Sequence, residues 1–353
     1  MDQLDLFAAE PEEQPTPPAP TAPVRRYLTD LPPAPTLTRP ATIRALRSVA
    51  PPAPPRPTSR HYRPSTRDPH AHAFEIAEAV GYAWHHSQGG EDIAIPVGTV
   101  ATLALWPLRG RDAHLAADWW LSLSDEDLMT AFRECWARWW ISRPDLIDRA
   151  TPLHRWLDDE EPPARRIKAV RAVVEAALTR GLLHRTSSAD AEVRSEADIM
   201  GALLAILRSK GSSDALAEVH TPPSVAELMA RVLLTDAPLK PGMKFDEPAG
   251  GTGGLYRAAA QVMRERSIDP HDFGWCLTDI DPIAAAGAAV NAIVWDLGPH
   301  VLIACGDTLH DGNLVAKAAQ EARESIERRD RAHAQATMLA AICKVEALLG
   351  ETA

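Results

Sequence analysis

The chain has 353 residues, an apolar fraction of 45%, ten tryptophans and a net charge of −11. Length suggests about two domains, and the apolar content suffices for a sizeable core. The acidic balance argues against a uniformly basic nucleic-acid coat, without excluding a local basic patch.

Residues 3–7 read Q-L-D-L-F. The pentapeptide resembles the Q-L-[S/D]-L-F peptide by which bacterial replication and repair proteins bind the DNA polymerase sliding clamp. On that resemblance Leu6 and Phe7 fill an apolar pocket, with Leu4 beside them and Gln3 supplying hydrogen bonds. The competing readings are an accidental amphipathic start, or a short helix that docks on its own domain. Residues 1–69 hold more than half of the 31 prolines and few aromatic residues. Such a segment buries too little apolar surface to offset its ordering entropy, so a disordered Pro/Arg-rich tail is predicted. Its arginines, Arg25, Arg26, Arg39, Arg44, Arg47, Arg56, Arg60, Arg63 and Arg67, face few acids. They make it either a solvated linker or an arm that touches DNA phosphates without reading sequence. The amino terminus is acidic rather than basic-then-apolar, which predicts no secretory leader and a cytoplasmic location.

Residues 70–196 read as an all-helical domain. Phe74, Ile76, Ala77, Val80 and Ala83 fit one helix face, and Trp119, Trp120, Leu123, Leu128, Phe132, Trp136, Trp139 and Trp140 recur at helical spacing as core. The apolar run from Ile93 to Leu108 is broken by Pro96, Gly98 and Pro107 and is too short to span a bilayer. His70, His72, His85 and His86 have no carboxylate or cysteine at ligand spacing, so no metal site is predicted. Cys135, Cys276, Cys305 and Cys343 are scattered, which predicts neither a zinc site nor a disulfide framework.

A third unit, residues 197–312, alternates helices and strands. Ile199 to Leu207 and Ser224 to Leu234 read as helices, and Met243 to Asp246 as a strand leading into E-P-A-G-G-T-G-G at residues 247–254. A strand at Trp275 to Leu277, a helix from Pro282 to Leu297 and a strand at Val301 to Ala304 follow. Asp281 is the predicted N-cap of that helix and Gly298 lies just past its end. Alternation of this kind predicts an α/β fold with a parallel sheet and right-handed crossovers. Residues 313–353, free of proline from Leu314 to Leu349, read as one long or two short exposed helices.

The glycine-rich turn alone is compatible with several nucleotide ligands. Asp279 ends the second strand, where a carboxylate accepts hydrogen bonds from both ribose hydroxyls. Asp307 follows the third strand, where it can accept from an adenine amino group. Glu247 ends the first, where it can face the cationic end of a methionine moiety. Three acids at three strand ends repel pyrophosphate but suit a sulfonium and an ammonium, which points to S-adenosylmethionine.

With Thr221-Pro222-Pro223-Ser224-Val225, residues 247–254, residues 279–282, Asn291 and Gly306-Asp307-Thr308-Leu309 in this order, residues 197–310 resemble adenine-specific DNA methyltransferases. They are most similar to the modification subunits of type I restriction-modification systems. The resemblance implies a partial Rossmann-like, S-adenosylmethionine-dependent methyltransferase sheet after a helical leader. It assigns Thr221, Pro222, Glu247, Pro248, Gly251, Thr252, Gly253 and Gly254 to the methionine end. Asp279 goes to the ribose, Ile280 or Asp281 to the flank of the adenine, and Asp307 to its amino group. It implies DNA as substrate, and a second methyltransferase or specificity subunit as partner, with no membrane. Two departures are Gly250, where the family often has Cys, and His220, where an aromatic residue is usual.

The exocyclic amine of adenine is a poor nucleophile, because its lone pair is delocalised into the ring. The family supplies an Asp/Asn-Pro-Pro-aromatic turn that accepts the amino hydrogens and stacks on the flipped base. No such tetrapeptide occurs in these 353 residues, and the catalytic residues stay unassigned. A methyltransferase, a non-catalytic S-adenosylmethionine-binding subunit or clamp-tethered adaptor, and a methyltransferase for a non-DNA substrate therefore all remain open. A sheet lacking further strands would leave one edge uncovered. The terminal helices or a second polypeptide would be expected to cover it.

Overall fold

Asp68 opens the first helix, α1 (Pro69–His86), by accepting from the amides of His70 at 2.9 Å and Ala71 at 3.4 Å, with Pro69 in the first turn. The computed structural model describes residues 68–87, 90, 92–106, 113–208 and 221–350, with side chains to Cys343. The clamp-like pentapeptide, the arginine-bearing tail and His220 lie outside the described residues.

The helical layer continues through α2 (Ala94–Ala104), α3 (Ala113–Ser122), α4 (Asp125–Ser142), α5 (Pro144–Arg149), α6 (Thr151–His154), α7 (Ala164–Thr179), α8 (Leu182–Thr186) and α9 (Ala191–Arg194). Every residue of α2 is buried. The interrupted apolar run of the sequence is thus a central core helix, and Gly98 sits where a Cβ would collide with the Leu153 carbonyl at 1.8 Å. Trp84, Trp120 and Trp136 are buried, and Trp119, Trp139 and Trp140 pack against the same core. His72 is buried too, with Nε2 bonded to the Arg180 carbonyl at 2.6 Å and Nδ1 accepting from Arg185 at 2.9 Å. Among the described residues no helix is long and apolar enough to cross a membrane.

The α/β part begins with α10 (Ile199–Leu207), which packs on α1, and α11 (Pro223–Leu234). Three strands follow, β1 (Lys244–Glu247), β2 (Gly274–Asp279) and β3 (Val301–Cys305), all parallel and in spatial order β1-β2-β3. Crossovers α12 (Gly254–Glu265) and α13 (Pro282–Val294) lie on one face, over Trp275, Leu277, Val301 and Ile303. One apolar core joins this face to the helical layer.

The other face, Cys276, Leu302 and Ala304, is covered by Ala318, Ala319 and Ala322 of α14 (Leu314–Gly350). The terminal segment is therefore a single helix, and one face of its first half is buried where the sequence predicts an exposed helix. Small alanines carry the contact, so no periodic run of large apolar residues announced it. α14 contacts β3 and β2, and it does not cover the edge of β1.

Candidate functional site

The three parallel strands end at one edge of the sheet, and the loops beyond them are laced together. Glu247 is the last residue of β1, and the chain turns at once so that the Gly250 amide donates to the Thr278 carbonyl at 2.9 Å. The Gly251 amide then donates to Asp279 Oδ2 at 2.7 Å, and the Gly253 amide closes back on the Gly250 carbonyl at 2.8 Å. Gly251 and Gly253 have φ of +54° and +92°, conformations that ordinary side chains rarely adopt. A Cβ on Gly250 would meet Leu277 at 2.4 Å, which explains the glycine where the related enzymes often carry Cys. A Cβ on Gly251 would meet nothing within 4 Å, so the turn borders open space beside Asp279.

Asp279 is the hub. Its Oδ1 accepts from the Asp281 amide at 2.9 Å, its Oδ2 from Gly251, and its carbonyl from the Gly306 amide at 2.9 Å. Each carboxylate oxygen keeps a lone pair for a further donor. Asp281 caps α13 through the amides of Ile283 at 3.1 Å and Ala284 at 2.7 Å, and it is ion-paired with the buried Arg208. Asp281 is thereby hydrogen-bonded within the fold and buried, whereas Ile280 is 54% exposed.

Asp307 stands two residues beyond β3, partly exposed. The Leu309 amide at 2.9 Å and His310 Nδ1 at 2.6 Å hold its carboxyl below the usual carboxylate range. Thr308 Oγ1 reaches the Pro248 carbonyl at 3.3 Å, tying the third loop to the first. Thr221 and Pro222 form the exposed entry to α11, whose first amides, Val225 and Ala226, bond the Pro222 carbonyl.

Sequence reasoning missed the support beneath the turn. Asp198 caps α10 through the Gly201 amide at 2.8 Å, accepts from Asn291 Nδ2 at 2.8 Å, and takes the Thr252 hydroxyl. Asn291 also donates to the Thr252 carbonyl at 2.9 Å. The cap of Asp198 is legible in sequence; its reach across 54 residues to Thr252 is not.

Glu247 is half-buried, and desolvation pushes its carboxyl above the ordinary 4.5 against a hydrogen bond from the Ala249 amide. A carboxylate with a raised folded-state pKa favours the fold below its ordinary pKa and loses that contribution as pH rises through the raised value. A cation bound beside it reverses the balance by favouring the ionised form. Glu247→Gln is therefore expected to raise the melting temperature at neutral pH while weakening a cationic ligand. In the wild type, affinity should rise with pH through the mildly acidic range, with proton release on binding. Calorimetry in buffers of different ionisation heat reads both, and tighter binding by the Gln variant would contradict the assignment.

Together these features define an α/β crevice at the carboxyl edge of a parallel sheet, with a glycine turn and three acids rather than a phosphate cradle. Residues 196–322 match the family model of N-6 DNA Methylase, so this part of the chain is similar to that family. No curated protein matches the chain.

Proposed function

We propose that the crevice binds S-adenosylmethionine and that the chain serves DNA N6-adenine methylation as the cofactor-binding part of that machinery. The observation that carries this is Asp279, fixed at the strand end by Gly251 and Asp281 with acceptor capacity facing open space. Glu247 would sit by the sulfonium and ammonium, Ile280 along the adenine and Asp307 at its amino group, with Thr252, Gly253 and Gly254 shaping the methionine pocket. Bound there, the group supplies an activated methyl. The residues of this chain bind and orient it.

The base-binding turn is not among these 353 residues, so target chemistry falls to a second methyltransferase or specificity subunit. DNA is the substrate on this reading. The Gln3–Phe7 peptide would tether the chain to a sliding clamp, an attachment that Phe7→Ala should remove in a pull-down. Calorimetry tests the cofactor assignment: S-adenosylmethionine should bind in a single site and ATP should not, since three carboxylates repel a triphosphate. ATP binding in preference to S-adenosylmethionine would overturn it.

A further inference from the structure

α11 is amphipathic in an unexpected direction. Its small residues Ala226 and Ala230 pack on Ala258 and Val262 of α12, while Val225, Leu228, Met229, Val232 and Leu233 are 42–74% exposed. Four of these lie at i, i+3, i+4 and i+7, one continuous stripe on a helix about 18 Å long. A stripe of this kind is the face a helix normally buries, and no described residue covers it.

The chain outside the described residues joins the fold beside this helix. α1 follows Asp68, and His70 Nε2 lies 2.7 Å from Glu227 Oε1 in the second turn of α11. Residues 1–67 therefore enter next to the stripe. Between Pro40 and Pro51 they contain a run without proline, A-T-I-R-A-L-R-S-V-A. On a helical wheel Ile43, Leu46, Val49 and Ala50 fall within about 120° of one another, and Arg44 and Arg47 share one flank. Residues 31–67 hold seven arginines and no acid, whereas the whole chain carries −11, so this run is opposite in sign to the rest of the protein. The 17 residues from Pro51 to Arg67 connect it to Asp68. They can span at most about 60 Å, enough to reach any position on α11.

We propose that residues 41–50 dock in cis on the α11 stripe, packing Ile43, Leu46 and Val49 against Leu228, Met229 and Val232. A short connection sets a local concentration on the order of 1 mM, so an intrinsic affinity as weak as about 0.1 mM keeps the segment docked about nine-tenths of the time. Residues 24–31, the other apolar run between prolines, are the poorer occupant. They carry Asp30 beside Arg25 and Arg26, and their connection, residues 32–67, is about twice as long, which lowers the local concentration. This inference does not depend on the cofactor assignment.

Trypsin reads the docking on the full chain. Arg44 and Arg47 lie within the run and Arg26 and Arg60 outside it, and none of the four precedes proline. Each cleavage rate is divided by that of the same bond in a synthetic peptide of residues 20–67. So normalised, cleavage at Arg44 and Arg47 should be about tenfold slower than at Arg26 and Arg60. Leu228→Glu on the exposed stripe and Leu46→Glu in the tail should each bring the four rates together. The second variant leaves every described residue unchanged, so it separates docking from unfolding. Equal rates at the four sites in the wild type would overturn the proposal, as would protection that either variant leaves intact. Protection that grows with protein concentration would overturn it in favour of a second copy on the stripe. Protection at Arg26 instead would overturn it in favour of residues 24–31.

Discussion

Asp279→Ala should weaken S-adenosylmethionine binding by about two to three orders of magnitude in calorimetry. The carboxylate has two tasks. It accepts from the amides of Gly251 and Asp281, holding the glycine turn and the start of α13 in place, and on the proposed reading it would offer its remaining lone pairs to a ribose diol. Charge-assisted hydrogen bonds of this kind contribute about 1.5–3 kcal/mol each. Alanine also leaves the Gly251 amide without its acceptor, so the turn loosens as the ligand contacts vanish. Asp279→Asn separates the two tasks. Its carbonyl can still accept from one amide, but its NH₂ opposes the other, so binding should fall to an intermediate level. Unchanged affinity in the alanine variant would remove Asp279 from the site.

Arg257→Met should cost about 2–3 kcal/mol of stability in denaturant titration, because it removes a buried guanidinium that serves one part-exposed carboxylate and two carbonyls. Arg257 is 2% exposed within the α12 interface. Its guanidinium donates to Glu227 at 2.8 Å and to the carbonyls of Glu196 at 3.1 Å and Ser195 at 3.3 Å. One side chain thus fastens α12 to α11 and to the turn before α10. Methionine keeps the apolar stem and isolates the loss of the charge. A pH signature accompanies it. Burial pushes the Glu227 carboxyl up, but the hydrogen bonds of Arg257 and His70 outweigh this and hold it below its ordinary 4.5. Stability from Glu227 is present above that ordinary value and is lost as pH falls through the lowered one. The variant should therefore lose less stability on acidification than the wild type. A change below about 1 kcal/mol would show that Arg257 is not a structural fastener.

The features legible in the sequence were those set by local chemistry. Asp281 and Pro282 start α13 as the sequence predicts, but the helix ends at Val294 and the left-handed residue after it is Asp296 at φ +56°, so Gly298, with φ +97° and a Cβ position blocked by His271, serves the following turn rather than the helix end. Capping residues act within a few positions of themselves, so their meaning survives without a structure. The strand ends were legible for a similar reason. A short apolar run followed by an acid or a glycine turn marks the carboxyl edge of a parallel sheet, and Glu247 and Asp279 fall on the last residues of β1 and β2. Strand boundaries moved by one or two residues, as at β2, which runs from Gly274 to Asp279 rather than from Trp275 to Leu277.

What escaped was long-range. Asp198, Thr252 and Asn291 meet only because α10 lies across the glycine turn, and no spacing in the chain encodes that crossing. The burial of α14 escaped because alanine packs closely without a strong apolar signal. The outward stripe of α11 escaped for the opposite reason. Apolar periodicity reports that a face wants burial, and it does not say whether this fold supplies the partner.

The central claim is that the chain carries a cofactor pocket without the machinery for the target base. It is tested most directly by incubating the full chain with methyl-tritiated S-adenosylmethionine and unmethylated duplex DNA, then following the label. Label should be held non-covalently by the protein, with none on the DNA. Label transferred to adenine would contradict the absence of catalytic machinery, and label on neither would contradict the pocket itself.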